Sequence, residues 1–247
     1  MNYLVAIMLA MFTFSVNAQS IEGAWKLTHQ NGKPVADREY IKIYQDGYFA
    51  YGAKEVGTNK FLHAGGGLFT IDGSNYTEQL DFFTADPDQV GTKNQYKIDF
   101  TNDKVVISGK VKGKDLIEIW ERAGDRRDDL TQNWVITGRK VDGNVSTMTP
   151  GARRTVKILS GGRFQWIAFN SETKEFSGTG GGTYEAKDGK YTEHITFFSR
   201  DDSRVGASLS FDYEVKDGQW HHSGLSSTGN PIYEIWSAYR EAYLNKK

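Results

Sequence analysis

Residues 65–83 read GGGLFTIDGSNYTEQLDFF, and residues 180–198 read GGGTYEAKDGKYTEHITFF; GGG, YTE and FF are identical at matching positions. Agreement over such a stretch within one chain marks an internal duplication. Each copy reads as a strand, a turn rich in Asp, Gly, Ser, Asn and Lys, and a second strand with period-two alternation. That alternation puts Tyr76, Glu78, Leu80 and Phe82 on one face, and Tyr191, Glu193, Ile195 and Phe197 on the matching face of the second copy. Each copy therefore carries a carboxylate on an apolar face.

Outward from this pair, the two halves align without a gap from Phe49/Phe164 to Gly109/Gly224. Each half reads as eight short strands separated mostly by hairpin-length links, with no helical periodicity and no long crossover. Sequential antiparallel strands of this number predict an all-β chain of two tandem eight-stranded up-and-down barrels, since closure removes exposed sheet edges; a two-sheet sandwich is the alternative. The charged run GDRRDDLT at residues 124–131 places the boundary, giving domains 19–125 and 126–247. Thirteen per cent aromatic residues, 27 glycines and four prolines suit many tight turns.

Residues 1–18 read as a signal peptide, because the apolar run LVAIMLAMFTF is shorter than the roughly 20 residues of a spanning helix. A secreted or periplasmic protein with no transmembrane span is the expectation. With no cysteine in the chain, disulfides and thiolate metal sites are excluded. A net charge of −1 gives no electrostatic case for nucleic acid.

The glycine triplets lack the strand-to-helix context of a phosphate loop, so no cofactor is expected and the triplets predict barrel corners. Among the histidines, the adjacent His221 and His222 point to opposite faces of a strand, and no metal site is expected. An interior glutamate needs a partner or a wet cavity. Candidates for the interior are Glu78 and Glu193, with Glu118 and Glu234 sharing faces with Trp120 and Trp236. Basic partners available in both copies are Arg38/Arg153 and Lys42/Lys157, four residues apart and so on one face. With two-residue turns at Asp46-Gly47 and Gly161-Gly162, Lys42 lies opposite Tyr51 and Lys157 opposite Trp166. Against this, Ile41 and Ile43 occupy the other face, so the direction of the basic face stays open. Tyr51, Trp166, Tyr76 and Tyr191 complete the candidate ligand-binding set.

Gly23-Ala24-Trp25 on the first strand, the eight-strand meander and the pair Trp120/Arg122 on the last strand resemble the lipocalin-like barrels of the calycin superfamily, here in tandem and of the secreted bacterial type. The resemblance implies that Trp25 plugs the closed end of its barrel under Arg122. In the second copy it implies the same of Trp134, with Arg240 two residues beyond the match to Arg122 but on the same strand face. The function expected is binding of a small amphipathic molecule inside a barrel; the alternatives are an isomerase, cyclase or hydratase using an interior Glu, and a structural module with a filled core. Replacing Trp25 or Trp134 by Ala is expected to cost roughly 3–5 kcal/mol in chemical denaturation.

Overall fold

The structure, a computed structural model, describes residues 20–246 apart from 142 and 227. The signal-peptide expectation lies outside the described residues. The first half forms β1 (Gly23–Gln30), β2 (Lys33–Pro34), β3 (Arg38–Gln45), β4 (Tyr48–Glu55), β5 (Phe61–Asp72), β6 (Asn75–Phe83), β7 (Lys93–Phe100), β8 (Lys104–Val111) and β9 (Lys114–Gly124). Pairing runs in chain order from β3 to β9, and β1 pairs with both β3 and β9. That ring of eight closes a barrel, and β2 folds back on the end of β1 as an arm outside it.

The second half repeats the plan with β10 (Gln132–Val141), β11 (Asn144–Thr147), β12 (Arg153–Ser160), β13 (Arg163–Asn170), β14 (Glu175–Lys187), β15 (Lys190–Phe198), β16 (Ser208–Lys216), β17 (Gln219–Leu225) and β18 (Pro231–Ala238). Pairing of β10 with β18 closes it, and β11 is the external arm. The chain is thus two closed eight-stranded antiparallel barrels in tandem. A short helix, α1 (Tyr239–Ala242), follows the last strand. Among the described residues, no helix is long and apolar enough to cross a membrane.

Both glycine triplets are corners. The ladder between β5 and β6 slips between Gly66 and Gly67, and that between β14 and β15 slips between Gly181 and Gly182. A Cβ on Gly67 would run into the Gln79 carbonyl, and one on Gly182 into the His194 carbonyl, so no other residue fits there. Each slip is a bulge that adds one residue, Asp81 or Thr196, and breaks the alternation behind it. The expectation that Phe82 and Phe197 continue the inward face is corrected here: both turn out of their barrels, and Phe83 and Phe198 turn in. Phe82 joins the cluster between the barrels, whereas Phe83 packs against the core of the first.

That cluster explains why Ile41 and Ile43 are apolar although they face away from the barrel interior. They pack with Tyr48, Ala50 and Phe82 against Val135, Val156, Ile158, Ile167, Phe169 and Tyr239 of the second barrel. The chain therefore has three cores, one inside each barrel and one between them. Asp81, the extra residue of the first bulge, faces outward and accepts from Arg154 Nη2 at 2.8 Å and from the Tyr239 hydroxyl at 3.2 Å. Gly52 gives up its side-chain space to the Phe197 ring.

Arg154 spans this contact. Its guanidinium carbon lies 4.5 Å from the Phe169 ring centroid and 4.2 Å from that of Tyr243, and its side chain is 2% exposed. Arg154→Ala would strand Asp81 and remove that packing. A loss of roughly 3–5 kcal/mol in urea unfolding is expected.

Candidate ligand cavity in the first barrel

Alternation carries Lys42, Tyr44, Phe49, Tyr51, Tyr76 and Glu78 inward. Lys42 and Tyr51 face each other across β3 and β4, as the register of the Asp46-Gly47 turn requires. The two turn residues have φ of 53° and 74°, the left-handed pair of a two-residue hairpin. Lys42 Nζ donates to Glu78 Oε1 at 2.7 Å, and the Tyr76 hydroxyl donates to the same oxygen at 2.6 Å. With its proton committed, Tyr76 accepts from the Tyr44 hydroxyl, 3.0 Å away. Burial alone would lower the Lys42 pKa, but Glu78, Tyr44 and Glu118 together outweigh this and hold the ammonium well above the usual lysine range. Burial pushes the Tyr44 hydroxyl up to about 12.

The second barrel repeats the arrangement. Lys157 Nζ donates to Glu193 Oε1 at 2.8 Å, and Tyr191 donates to that oxygen at 2.9 Å. In each barrel the ammonium lies among aromatic rings: Lys42 Nζ is 4.8 Å from Phe49 and 5.3 Å from Trp120, and Lys157 Nζ is 5.2 Å from Trp220 and 5.3 Å from Trp236.

Above this fixture the barrels differ. In the first, a cavity of about 260 Å³ runs from Lys42 and Glu78 towards the end opposite Trp25. Its wall is part aromatic, from Tyr40, Tyr51, Tyr96 and Trp120, and part polar, from Gln30, His63, Asn94 and Glu118. The Tyr40 hydroxyl lies 2.7 Å from His63 Nε2 and that of Tyr51 lies 3.4 Å from Nδ1, so the imidazole bridges two phenols. Burial, with Arg38 nearby, lowers the His63 pKa and keeps the ring neutral near pH 7. Glu118 accepts from Gln30 Nε2 at 3.3 Å and from Trp120 Nε1 at 3.1 Å. Burial raises its pKa, and the more distant Lys42 only partly opposes the shift.

In the second barrel, Trp220 stands at the position of Val105 and His222 at that of Ile107. Trp220 is fully buried, with ring centroids 5.1 Å from Tyr191 and 5.7 Å from Trp236, and His222 lies 4.2 Å from Phe211. These rings pack together in the second interior, where His222 takes the place of Ile107, a residue that lines the first cavity. Glu234, the counterpart of Glu118, has Arg139 Nε at 3.8 Å and His222 Nδ1 at 3.5 Å. Burial acts to raise its pKa, but His222, Lys157 and Arg139 together outweigh that and lower it.

The expected site residues thus divide. Lys42, Glu78, Tyr51 and Glu118 line the first cavity, Tyr76 lies buried behind Glu78, and Lys157, Glu193, Tyr191, Trp166 and Glu234 come together in the second interior. The expectation that the arginines enter with the lysines is corrected. Arg38 stops at the rim, donating to Asp37 and, at 2.9 Å, to Gln30 while lying 5.6 Å from the Tyr40 ring. Arg153 is exposed, because Thr155 replaces Tyr40 there and offers no ring to pack on. The interior reading of the sequence missed Tyr40, His63, Gln30, Asn94 and Tyr96. Their signal was divergence: the second copy has Thr155, Gly178, Arg139, Leu209 and Phe211 in their places.

At the closed end, Trp25 is fully buried, its indole N–H donates to the Ile21 carbonyl at 2.8 Å, and the Arg122 guanidinium carbon lies 4.1 Å over its ring. Trp134 repeats the indole hydrogen bond, to Leu130 at 2.9 Å. The expectation for Arg240 is corrected. Ala238, not an arginine, lies opposite Trp134, and Arg240, carried past the strand end on α1, is exposed and donates to the Asp46 carbonyl of the first barrel at 3.1 Å.

No protein-family model and no curated protein matches this sequence. Among solved structures, it is similar to the crystal structure of the uncharacterized protein YLR301w from Saccharomyces cerevisiae. The two share 12% sequence identity at a TM-score of 0.45, over 87% of this chain and 99% of that one.

The two outer glutamates are expected to respond oppositely to loss of charge. The native Glu118 carboxyl keeps its proton to a higher pH than the unfolded one, so its charge opposes folding at pH 7 and the penalty fades as pH falls towards the unfolded value of about 4.3. Glu118→Gln should raise the melting temperature at pH 7. Glu234, with its pKa lowered, contributes stability above the unfolded value that is lost as pH falls through the native one. Glu234→Gln should lower the melting temperature at pH 7, and the difference should shrink below pH 4. Glu78→Gln and Glu193→Gln, each stranding a buried lysine, should each cost roughly 3–5 kcal/mol.

Proposed function

We propose that the chain is an exported, lipocalin-like binding protein whose first barrel holds a small amphipathic molecule while the second is a packed support. The observation that carries this reading is the contrast between duplicates: the Lys–Glu–Tyr fixture occurs in both barrels, whereas the first has a cavity of about 260 Å³ where the second has Trp220 and His222. A fixture present in a filled barrel serves the fold. A wall part aromatic and part polar, present in one barrel, serves a ligand. The volume sits just under the roughly 300–1,000 Å³ of ordinary ligand clefts, which favours a compact molecule over a long acyl chain. Trp25 beneath Arg122 supports the lipocalin-like assignment of the first barrel, and residues 1–18 support export.

The test is to denature protein purified from its native host and identify by mass spectrometry any small molecule released. Ile107 lines the cavity, so Ile107→Phe should fill it and release none, at an unchanged melting temperature. Equal release from both proteins would overturn the reading. A second reading, acid/base catalysis, draws on the raised pKa of Glu118; turnover of the released molecule that vanishes in Glu118→Gln while binding persists would favour it.

A further inference from the structure

The second barrel serves as an internal reference for the first. At the rim of the second interior, Glu234 lies opposite Arg139 in the ladder between β10 and β18, and the two form an ion pair at 3.8 Å. At the same place in the first, Glu118 lies opposite Gln30, a neutral amide. Both copies have the carboxylate, and only the second has a cation opposite it.

Nearby positive charges are committed elsewhere. Lys42 donates to Glu78 at 2.7 Å, and Arg38 pairs with Asp37 and donates to the Gln30 side-chain oxygen at 2.9 Å. The Gln30 amide passes only a dipole on to Glu118. With His63 neutral, the charges on the cavity wall are Lys42, Glu78 and Glu118, which sum to −1. The rest of the wall suits a cation as well, since the aromatic rings of Tyr40, Tyr51, Tyr96 and Trp120 line the same cavity as that carboxylate.

Resting on the proposed function of the cavity, we infer that its ligand is a small organic monocation, an ammonium or amidinium group on a compact aromatic or aliphatic body, with its charge on Glu118. The ligand's N–H or N–CH groups take the place that Arg139 fills beside Glu234. Its body lies between the tyrosine rings, and Asn94 and the His63-bridged phenols offer it hydrogen bonds.

Isothermal titration at pH 7.5 with three probes of similar size tests this: 2-phenylethylammonium, 2-phenylethanol and 3-phenylpropanoate. The cation should bind at least tenfold tighter than the alcohol, and the anion more weakly than either. Glu118→Gln should erase the cation's advantage and leave the alcohol's affinity in place. Gln30→Arg, which installs the pairing of the second barrel, should do the same, and its melting curve reports folding independently. Cation affinity that survives both substitutions, or tighter binding of the anion, would overturn the inference while leaving a binding cavity standing. No binding of any probe would overturn the inference and count against the cavity's function as well.

Discussion

A lysine ammonium inside a β-barrel survives only beside a counter-charge, because burial of the lone ion costs several kcal/mol. Both barrels meet this constraint in one way. The carboxylate two residues beyond a buried tyrosine takes the lysine and the tyrosine hydroxyl on the same oxygen, and aromatic faces surround the ammonium. The pair ties β3 to β6, and β12 to β15, across the barrel interior. Strand register, the inward direction of the aromatics and the position of the cavity floor all follow from that tie, since a one-residue slip would turn the charges outward.

The bulges are the second determinant. By inserting one residue after Leu80, the chain redirects Phe82 outward, onto the same side as Asp81, which reaches Arg154 in the other barrel. A device that bends one barrel thereby also adds an aromatic ring to the apolar contact between the two. Ile41, Ile43, Val156 and Ile158, which a single barrel would leave on its outer surface, become a third core. The two barrels are consequently packed as one body rather than strung on a linker.

Duplication supplies the contrast on which the functional reading rests. The Lys–Glu–Tyr fixture, on which the copies agree, answers to the fold. Among the inward-facing positions that differ are Val105 and Ile107 against Trp220 and His222, Tyr40 against Thr155, and Gln30 against Arg139. Trp220 and His222 add ring volume to the second interior, while Tyr40 and Gln30 give the first cavity an aromatic and a polar wall. The Glu118 carboxylate, part-buried without an ion-pair partner and raised in pKa, is locally unfavourable for stability. Such groups persist where a ligand or a reaction uses them.

By itself the sequence determined the duplication, the all-β class, the closed eight-stranded meanders and the inward direction of Glu78 and Glu193, because these rest on a period-two pattern and turn chemistry that are local in the chain. The register of Lys42 with Tyr51 was legible for the same reason, through the two-residue turn at Asp46-Gly47. Only the tertiary structure decided that the isoleucine face of β3 is buried too, that Phe82 and Phe197 leave their barrels, that Arg153 stays outside and that Arg240 serves the neighbouring barrel. It alone decided that one interior is open and the other filled. Those outcomes depend on bulges that break alternation, and on the volume of side chains meeting from strands far apart in sequence, quantities that no local pattern encodes.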